Sequence, residues 1–263
     1  MKVRVISAIV ALAIVVPFVI IGGIPFAGLI GLLSILGYKE ILDLKKSHND
    51  FPNIVKVLGL ISLLYFILGD YGINSLYMSI NHIRLIVPMF LLFLPTLFYK
   101  ENKYTTRDAF YLLGSIYFIG IFFYLLMIVR NINIYLLIFL FSITAITDSF
   151  AYIIGRLIGK HKMAPTISPK KSWEGAIAGL IGGSIIPLII YANLIKPIDL
   201  KIIIITIILS GIGQLGDLFL SKIKRENGIK DFSNLMPGHG GILDRLDSIS
   251  FVVLAYVILT YML

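Results

Sequence analysis

Long apolar stretches, separated by short polar loops, constrain the fold of this 263-residue chain more than any other feature. A helix needs about 20 apolar residues to cross the hydrocarbon core of a bilayer. Hydrophobic residues make up 58% of the chain and charged residues only 14%, a balance that a soluble domain of this size does not accommodate. The predicted fold class is therefore an all-α, polytopic integral membrane protein. Nine spans are predicted, at about residues 5–21, 24–37, 54–68, 83–99, 109–129, 132–155, 173–191, 200–220 and 247–262.

The distribution of basic residues predicts how the chain crosses the membrane. Cytoplasmic loops carry an excess of Lys and Arg, and an N-terminus placed inside puts 19 of the 23 basic residues in cytoplasmic loops. We therefore expect a multi-pass protein of the cell membrane, with its N-terminus inside and its C-terminus outside. In such a protein the net charge of +9 indicates a basic rim against anionic lipid headgroups rather than a nucleic-acid partner.

The two halves of the chain differ in their polar content. Residues 1–143 are predicted to be transmembrane helices that serve mainly as scaffold and lipid-facing surface. Within them, segment 38–50 mixes apolar and charged residues and predicts a short interfacial helix with no chemical role. Residues 144–263 hold nearly all the unusual polar residues, and they are predicted to form a catalytic region with cytoplasmic motif loops.

Aspartates inside two predicted spans point to a site in this second region. An aspartate in a membrane span costs roughly 2.5–3.5 kcal/mol on insertion scales and is rarely without a role. Asp148 lies in the sixth span and Asp217 near the end of the eighth. The alternative is a buried carboxylate that only hydrogen-bonds to a neighbouring helix. Three glycines before Asp217 are expected to let another helix approach closely; they are Gly211, Gly213 and Gly216.

The loop at residues 222–247 combines basic residues, glycines and carboxylates. Its Lys and Arg residues suit phosphate oxygens, and its glycines allow backbone N–H groups to approach an anion. Asp244 and Asp247 are spaced three residues apart, so we expect both on one face at the start of the last helix. Converging carboxylates in a chain without cysteine suit a hard cation, Mg²⁺ above all. The predicted ligand is a polyphosphate.

A second basic loop, residues 168–175, precedes the seventh span. Its two lysines, Lys170 and Lys171, are flanked by serines and are interpreted as a phosphate clamp. The alternative is a topology-setting loop in which Ser172 caps the following helix and Trp173 lies at the membrane interface. The capping role of Ser172 is compatible with either interpretation.

Two long motifs lie in this region: TDSFAYIIGRLIGKHKMAPTISPKKSWEG and the run from Ser221 that ends in PGHGGILDRLDS. They resemble the motifs of the phosphatidate cytidylyltransferases, also called CDP-diacylglycerol synthases. The resemblance covers about the last 120 residues, whereas the N-terminal half matches only as a hydrophobic pattern. It implies a membrane enzyme that joins CTP to phosphatidate, giving CDP-diacylglycerol and pyrophosphate, with Mg²⁺ and with or without a second cation. It also implies contact with membrane lipids, a site facing the cytoplasm, and a homodimer.

The resemblance further implies roles for individual residues. The catalytic metal ligands would be Asp217 and Asp244 together with Asp148 and Asp247, which are acidic positions in the same cavity. The basic catalytic residues would be Lys224, Arg225 and Lys230. The substrate-binding positions would be Ser168, Lys170, Lys171, Ser172, Glu174, Asp231, Gly238, His239, Gly240, Gly241 and Arg245.

Two other functions are consistent with the residues alone. A related CTP-dependent enzyme would act on an isoprenoid glycerol phosphate or a polyprenol, since apolar surface reads lipid tails without specificity. An ion-coupled transporter would also use intramembrane Asp148 and Asp217. Clustering of acids beside a basic loop on one membrane face argues against transport, because a transport path needs polar groups on both sides.

Overall fold

The structure is a computed structural model that describes residues 2–46, 50–69, 82–100 and 103–262. Across these ranges the chain forms nine α-helices, one short 3-10 helix and one two-stranded sheet. The helices are α1 (Lys2–Ile21), α2 (Gly23–Lys46), α3 (Asn53–Leu68), α4 (His82–Phe93), α5 (Thr106–Ile132), α6 (Ile134–Ile158), α7 (Trp173–Leu194), α8 (Leu200–Glu226) and α9 (Asp247–Met262). The 3-10 helix is Leu94–Leu97, and the strands are β1 (Lys162–Ala164) and β2 (Ser168–Ser172).

Five of these helices are long and apolar enough to cross a membrane. The five are α2, α5, α6, α7 and α8, and four shorter apolar helices lie in α1, α3, α4 and α9. The predicted helical membrane protein is therefore confirmed. The count of nine spans and the orientation of the chain stay predictions.

The prediction of a separate interfacial helix at 38–50 is wrong. Gly23–Lys46 form one continuous helix, and its apolar side chains after Gly37 form a buried face. Tyr38, Ile41 and Leu44 are each less than a tenth exposed. The Tyr38 hydroxyl donates to the carbonyl oxygen of Lys56 on α3 at 3.2 Å. The charges of this segment therefore belong to a packed helix, and Glu40 is buried with them.

The chain divides by its internal contacts into two compact units, which we describe separately. The first comprises Met1–Met127 and Phe232–Ile242, and the second comprises Ile128–Asp231 and Leu243–Leu263. The core of the first unit includes side chains of α3 and α5 that are at most 1% exposed, among them Leu63, Phe66, Leu112, Ile116 and Phe123. The predicted division into a scaffold before residue 144 and a catalytic region after it concerns function and stays a prediction.

Helices of the second unit approach one another closely through glycines. A Cβ atom added at Gly179 of α7 would lie 2.8 Å from the carbonyl oxygen of Thr147 on α6. A Cβ atom added at Gly216 of α8 would lie 2.8 Å from the carbonyl oxygen of Asp247 on α9. This confirms the predicted close approach at Gly216. The start of α9 is thereby held against the part of α8 that precedes Asp217. An added Cβ would lie 3.1 Å from Val252 at Gly213 but 3.7 Å from Leu180 at Gly211, so Gly211 does not require a glycine for this reason.

The two-stranded sheet positions the second basic loop. β1 and β2 are antiparallel, with Lys162 opposite Ser172. At the end of β2 the Ser172 side chain accepts a hydrogen bond from the Gly175 N–H at 3.2 Å and caps α7. The predicted capping role of Ser172 is confirmed. Lys170 and Lys171 therefore lie on a strand that runs directly into a membrane-type helix.

Candidate active site

An ion pair joins strand β2 to helix α8. Lys171 Nζ lies 2.6 Å from Asp217 Oδ2, and the two side chains are 26% and 25% exposed. The same ammonium group donates to the Gln214 carbonyl oxygen at 3.5 Å. On the other side, Ser221 Oγ donates to Asp217 Oδ1 at 3.2 Å. Both oxygens of the Asp217 carboxylate are thus held in place, while the pair stays open to solvent.

A second ion pair lies farther along α8. Lys224 Nζ donates to Asp244 Oδ1 at 2.6 Å, and the side chains are only 9% and 2% exposed. Removing a charge from water is costly unless a partner of opposite charge accompanies it. Each of these two residues therefore offsets the cost of burying the other's charge. Their ion pair joins α8 to the turn before α9.

Two further carboxylates, those of Asp148 on α6 and Asp247 at the start of α9, lie near Asp217. Ser248 connects them, since its Oγ donates to Asp148 Oδ2 at 3.5 Å and its N–H donates to Asp247 Oδ1 at 2.9 Å. The charges of Asp148, Asp217 and Asp247 repel one another; we call these three residues the acidic cluster. The positive charges that act on the cluster belong to Lys171, Lys224 and Arg245. Four elements of the second unit therefore bring opposite charges together.

The prediction that Asp244 and Asp247 share a helix face is wrong. Helix α9 begins at Asp247, and Asp244 lies in the turn that precedes it. The Asp244 carboxylate turns to Lys224, where both buried charges are satisfied. The Asp247 carboxylate instead accepts the first backbone N–H after it, from Ser248. The two aspartates thus have different surroundings despite their spacing.

The donor chemistry of the acidic cluster suits a divalent cation. Carboxylate oxygens are the ligands that hard cations such as Mg²⁺ prefer, and three neighbouring negative charges require positive charge nearby. Among the residues described by the structure, no three His, Cys, Asp or Glu side chains are gathered closely enough to hold a metal ion. The predicted metal ligands Asp148, Asp217, Asp244 and Asp247 therefore stay a prediction.

The lysines of β2 lie in different surroundings. Successive side chains of a strand point to opposite faces, and Lys170 is accordingly exposed whereas Lys171 is half-buried. Lys171 contacts Asp217. The two lysines therefore differ in exposure and contacts, and the predicted phosphate clamp stays a prediction.

Other predicted residues hold the loops around the cluster. Arg225 donates from Nε to the carbonyl oxygen of Ile167 at 3.3 Å and from a terminal nitrogen to that of Ile229 at 2.8 Å. Glu174 Oε1 lies 2.6 Å from His161 Nδ1, just before β1. Ser168 is half-buried at the start of β2. The predicted residues with exposed side chains are Asp148, Lys170, Arg225, Lys230, Asp231 and Arg245.

An apolar groove runs between α7 and α8 beside this site. Its volume is about 390 Å³. Its lining includes Trp173, Leu180, Ile208 and Gln214. The Gln214 carbonyl oxygen is the one that accepts a hydrogen bond from Lys171. Gln214 therefore both lines the groove and, through its backbone carbonyl oxygen, contacts Lys171.

The glycine-rich segment at residues 232–242, which we call the signature loop, belongs to the first unit. Gly238 and Gly240 have φ angles of 77° and 80°, a region that favours glycine. The Met236 N–H donates to the Gly240 carbonyl oxygen at 2.9 Å, and the Gly240 N–H returns a bond of 3.1 Å. Gly241 has no such φ angle, but an added Cβ would collide with the Glu40 carboxylate. Glycine is therefore favoured at positions 238 and 240 by the backbone φ angle, and at position 241 by the close approach of Glu40.

Residues of α1 and α2 hold the signature loop, and the sequence analysis missed both. Glu40 Oε1 accepts hydrogen bonds from the Ile242 N–H at 2.8 Å and from Ser233 Oγ at 2.7 Å. Ser7 Oγ donates to the Pro237 carbonyl oxygen at 3.1 Å and lies 2.8 Å from His239 Nδ1. The sequence signal for Glu40 is a glutamate among apolar residues at helical spacing, a pattern that is also typical of an interfacial helix.

Comparison with known proteins extends the similarity over the whole chain. A model of the cytidylyltransferase family matches residues 2–263. The phosphatidate cytidylyltransferase of Staphylococcus saprophyticus is 40% identical over 257 residues, which cover 96% of each chain. Proteins of the same name from Staphylococcus haemolyticus and Staphylococcus aureus are 37% identical over 261 residues and 33% identical over 255 residues, again over 96% of each chain. The similarity therefore includes the N-terminal half, where the sequence motifs alone were uninformative.

Proposed function

The chain belongs to the cytidylyltransferase family, and we propose that it joins CTP to phosphatidate, giving CDP-diacylglycerol and pyrophosphate. Similarity to phosphatidate cytidylyltransferases over 96% of the chain supports this reaction. The protein is a nucleotidyltransferase of phospholipid synthesis. Its apolar helices suit a membrane protein whose second substrate is a lipid.

The reaction takes place, in this proposal, at the acidic cluster and the two neighbouring ion pairs. The observation that carries this assignment is the convergence of Asp148, Asp217 and Asp247 with Lys171 from four different elements. A carboxylate cluster beside lysines matches the needs of a polyphosphate bound with a cation. The half-exposed Lys171–Asp217 pair is the part of this group that a substrate can reach.

The chemistry requires positioning and charge neutralisation more than a strong base. The phosphate monoester of phosphatidate is already anionic near neutral pH. One of its oxygens attacks the α-phosphorus of CTP, the bond between that phosphorus and the β-phosphate oxygen breaks, and pyrophosphate leaves. Phosphoryl chemistry of this kind is accelerated mainly by in-line positioning and by stabilising the negative charge.

Individual residues supply these functions in different ways. Asp148, Asp217, Asp244 and Asp247 would hold Mg²⁺, which supplies Lewis-acid neutralisation of the phosphates when it is bound. Lys171 exchanges its contact with Asp217 for a phosphate oxygen of the substrate. The buried Lys224–Asp244 pair keeps α8 and the turn before α9 in register, so that the carboxylates stay oriented.

The groove between α7 and α8 supports a lipid as the acceptor. Its lining is mostly apolar, and it includes Gln214, whose backbone carbonyl oxygen contacts Lys171. A lipid phosphate would place its charged group at the pair and an acyl chain in the groove. We further propose that this site faces the cytoplasm, since CTP is cytosolic and most basic residues fall in loops predicted to lie on that side.

An assay with purified protein tests the proposal. Labelled CTP and Mg²⁺ are supplied with phosphatidate, with an isoprenoid glycerol phosphate, with a polyprenol, or with no lipid. We expect equal amounts of CDP-diacylglycerol and pyrophosphate with phosphatidate, and no pyrophosphate without lipid. A product formed only with the isoprenoid phosphate, or a phosphorylated polyprenol, would assign the related lipid enzyme instead.

A further inference from the structure

We propose that Glu40 is a positioning residue that closes the signature loop for the reaction. The proposal rests on the proposed function for its effect on activity, but its structural part stands on contacts within the first unit. No role was expected for Glu40 from the sequence. It lies on α2, almost 200 positions before the loop that it holds.

One carboxylate oxygen joins the two ends of the loop. Ser233 and Ile242 are nine positions apart, and both donate a hydrogen bond to Glu40 Oε1, at 2.7 and 2.8 Å. Between these two contacts the chain reverses direction at the paired residues Met236 and Gly240. The Glu40 carboxylate, which belongs to α2, therefore links the two ends of the loop to each other.

The surroundings of Glu40 are built for a carboxylate. The residue is only 3% exposed, and a buried carboxylate needs donors to replace water. The backbone of the loop comes close enough that any side chain at Gly241 would overlap the Glu40 carboxylate. A side chain at 241 would therefore displace the Glu40 carboxylate from its donors, and the two residues should respond to substitution together.

Closing the loop has a direct consequence along the chain. Asp244 follows Ile242 by two residues, which span at most about 7 Å. Fixing the Ile242 N–H therefore restricts the start of the segment that carries Asp244 and Asp247. A positioning residue of this kind acts on turnover through the loop, without touching the substrate.

The kinetic test compares three variants on the same helix. Glu40→Gln keeps the acceptor oxygen and the volume, Glu40→Ala removes both, and Asp43→Asn removes an exposed carboxylate from the same helix. We expect kcat to fall at least 30-fold in Glu40→Ala, less than tenfold in Glu40→Gln, and less than twofold in Asp43→Asn. A Glu40→Ala protein with kcat within threefold of the unmodified protein would overturn the proposal.

A double substitution tests the contact with Gly241. Gly241→Ala alone should lower kcat more than tenfold, because its methyl group meets the Glu40 carboxylate. In the Glu40→Ala background that group is gone, so adding Gly241→Ala should cost less than a further twofold. Substitutions that touch show such non-additivity, whereas independent ones multiply. Losses that multiply would contradict the proposed contact.

Thiol labelling reports loop closure without relying on activity. The chain has no cysteine, and the Ile242 side chain is only 7% exposed, so Ile242→Cys gives a single buried thiol. We expect labelling by a soluble maleimide to be at least tenfold faster when Glu40→Ala is added, and unchanged when Asp43→Asn is added. If Glu40→Ala does not fold, the milder Ser233→Ala should still give a faster rate. Equal rates in all backgrounds would overturn the proposal, whereas a closed loop in a protein that makes no CDP-diacylglycerol would overturn only the proposed function.

Discussion

Two lysine–aspartate pairs on α8 have the same length and different surroundings. Both are 2.6 Å long, but the side chains of Lys171 and Asp217 are about a quarter exposed, whereas those of Lys224 and Asp244 are less than a tenth exposed. Breaking a buried pair on one side leaves an uncompensated charge, whereas a solvated pair contributes little to stability. We infer that the buried pair maintains the structure and that the open pair exchanges with substrate.

The largest effect on activity is expected at Asp217, the acidic member of the open pair. Asp217→Asn removes a carboxylate of the acidic cluster while keeping its shape. Turnover should fall at least ~1000-fold, which corresponds to about 4 kcal/mol of transition-state stabilisation, with little change in the melting temperature. The measurement is CDP-diacylglycerol formation by purified protein at saturating CTP.

A matched substitution on the same helix controls for charge removal alone. Asp199→Asn neutralises the residue that caps the other end of α8, and its side chain accepts the Ile202 N–H at 2.8 Å. Asparagine caps a helix about as well as aspartate, so this variant should remain fully active. Asp217→Asn with more than about a tenth of the original activity, a loss of only ~1.4 kcal/mol, would exclude a direct role for Asp217.

The largest effect on stability is expected at the buried pair. Lys224→Met leaves Asp244 buried without its lysine, which should cost about 3–5 kcal/mol. For a chain of this size that corresponds to a melting temperature lowered by roughly 6–20 °C, measurable in detergent. The double variant Lys224→Met/Asp244→Leu should regain most of this stability without regaining activity. A double variant as unstable as the single one would show that the loss of stability does not come from leaving Asp244 without its lysine.

A smaller loss is expected at Lys171, and it should appear in binding. Lys171→Met should raise the KM for CTP or phosphatidate about 10- to 100-fold, about 1.4–2.8 kcal/mol, and change the melting temperature by less than about 3 °C. The exposed neighbour provides the control, since Lys170→Met should change either KM less than threefold. Equal effects of the two substitutions would instead indicate that Lys170 and Lys171 bind phosphate together.

The smallest effect is expected at Ser172, which caps α7 at the end of β2. Ser172→Ala removes the acceptor for the Gly175 N–H and should cost about 1 kcal/mol, or roughly 2–4 °C in melting temperature. Its kcat should stay within threefold of the unmodified protein. A loss of activity with no loss of stability would instead assign Ser172 to substrate binding.

The comparison also shows which parts of the molecule were predictable from sequence. The starts of α7, α8 and α9 agree with the predicted spans, because each apolar run begins directly after a polar loop. The capping role of Ser172 and the close helix approach at Gly216 follow from local residue chemistry. These features depend on neighbours in the chain or on a residue's own size.

Features that depend on distant partners were not predictable in the same way. The role of Glu40 is defined by hydrogen bonds to residues about 200 positions later, so its charge suggested a surface location. The different surroundings of Lys170 and Lys171 depend on a short strand within a loop. Spacing placed Asp244 on α9, but its buried partner Lys224 holds it in the preceding turn.

A structure of the protein with CTP and Mg²⁺ bound would distinguish the roles of the two ion pairs. The quantities to measure are the two distances that join lysine Nζ to the nearest aspartate oxygen in the two pairs on α8. We predict that Lys171 and Asp217 separate to more than about 4 Å, beyond ion-pair distance, with Lys171 on a phosphate oxygen, while Lys224 and Asp244 stay in hydrogen-bond contact. Two intact pairs, with the nucleotide bound away from the acidic cluster, would contradict the inference that Lys171 leaves Asp217 to bind the substrate.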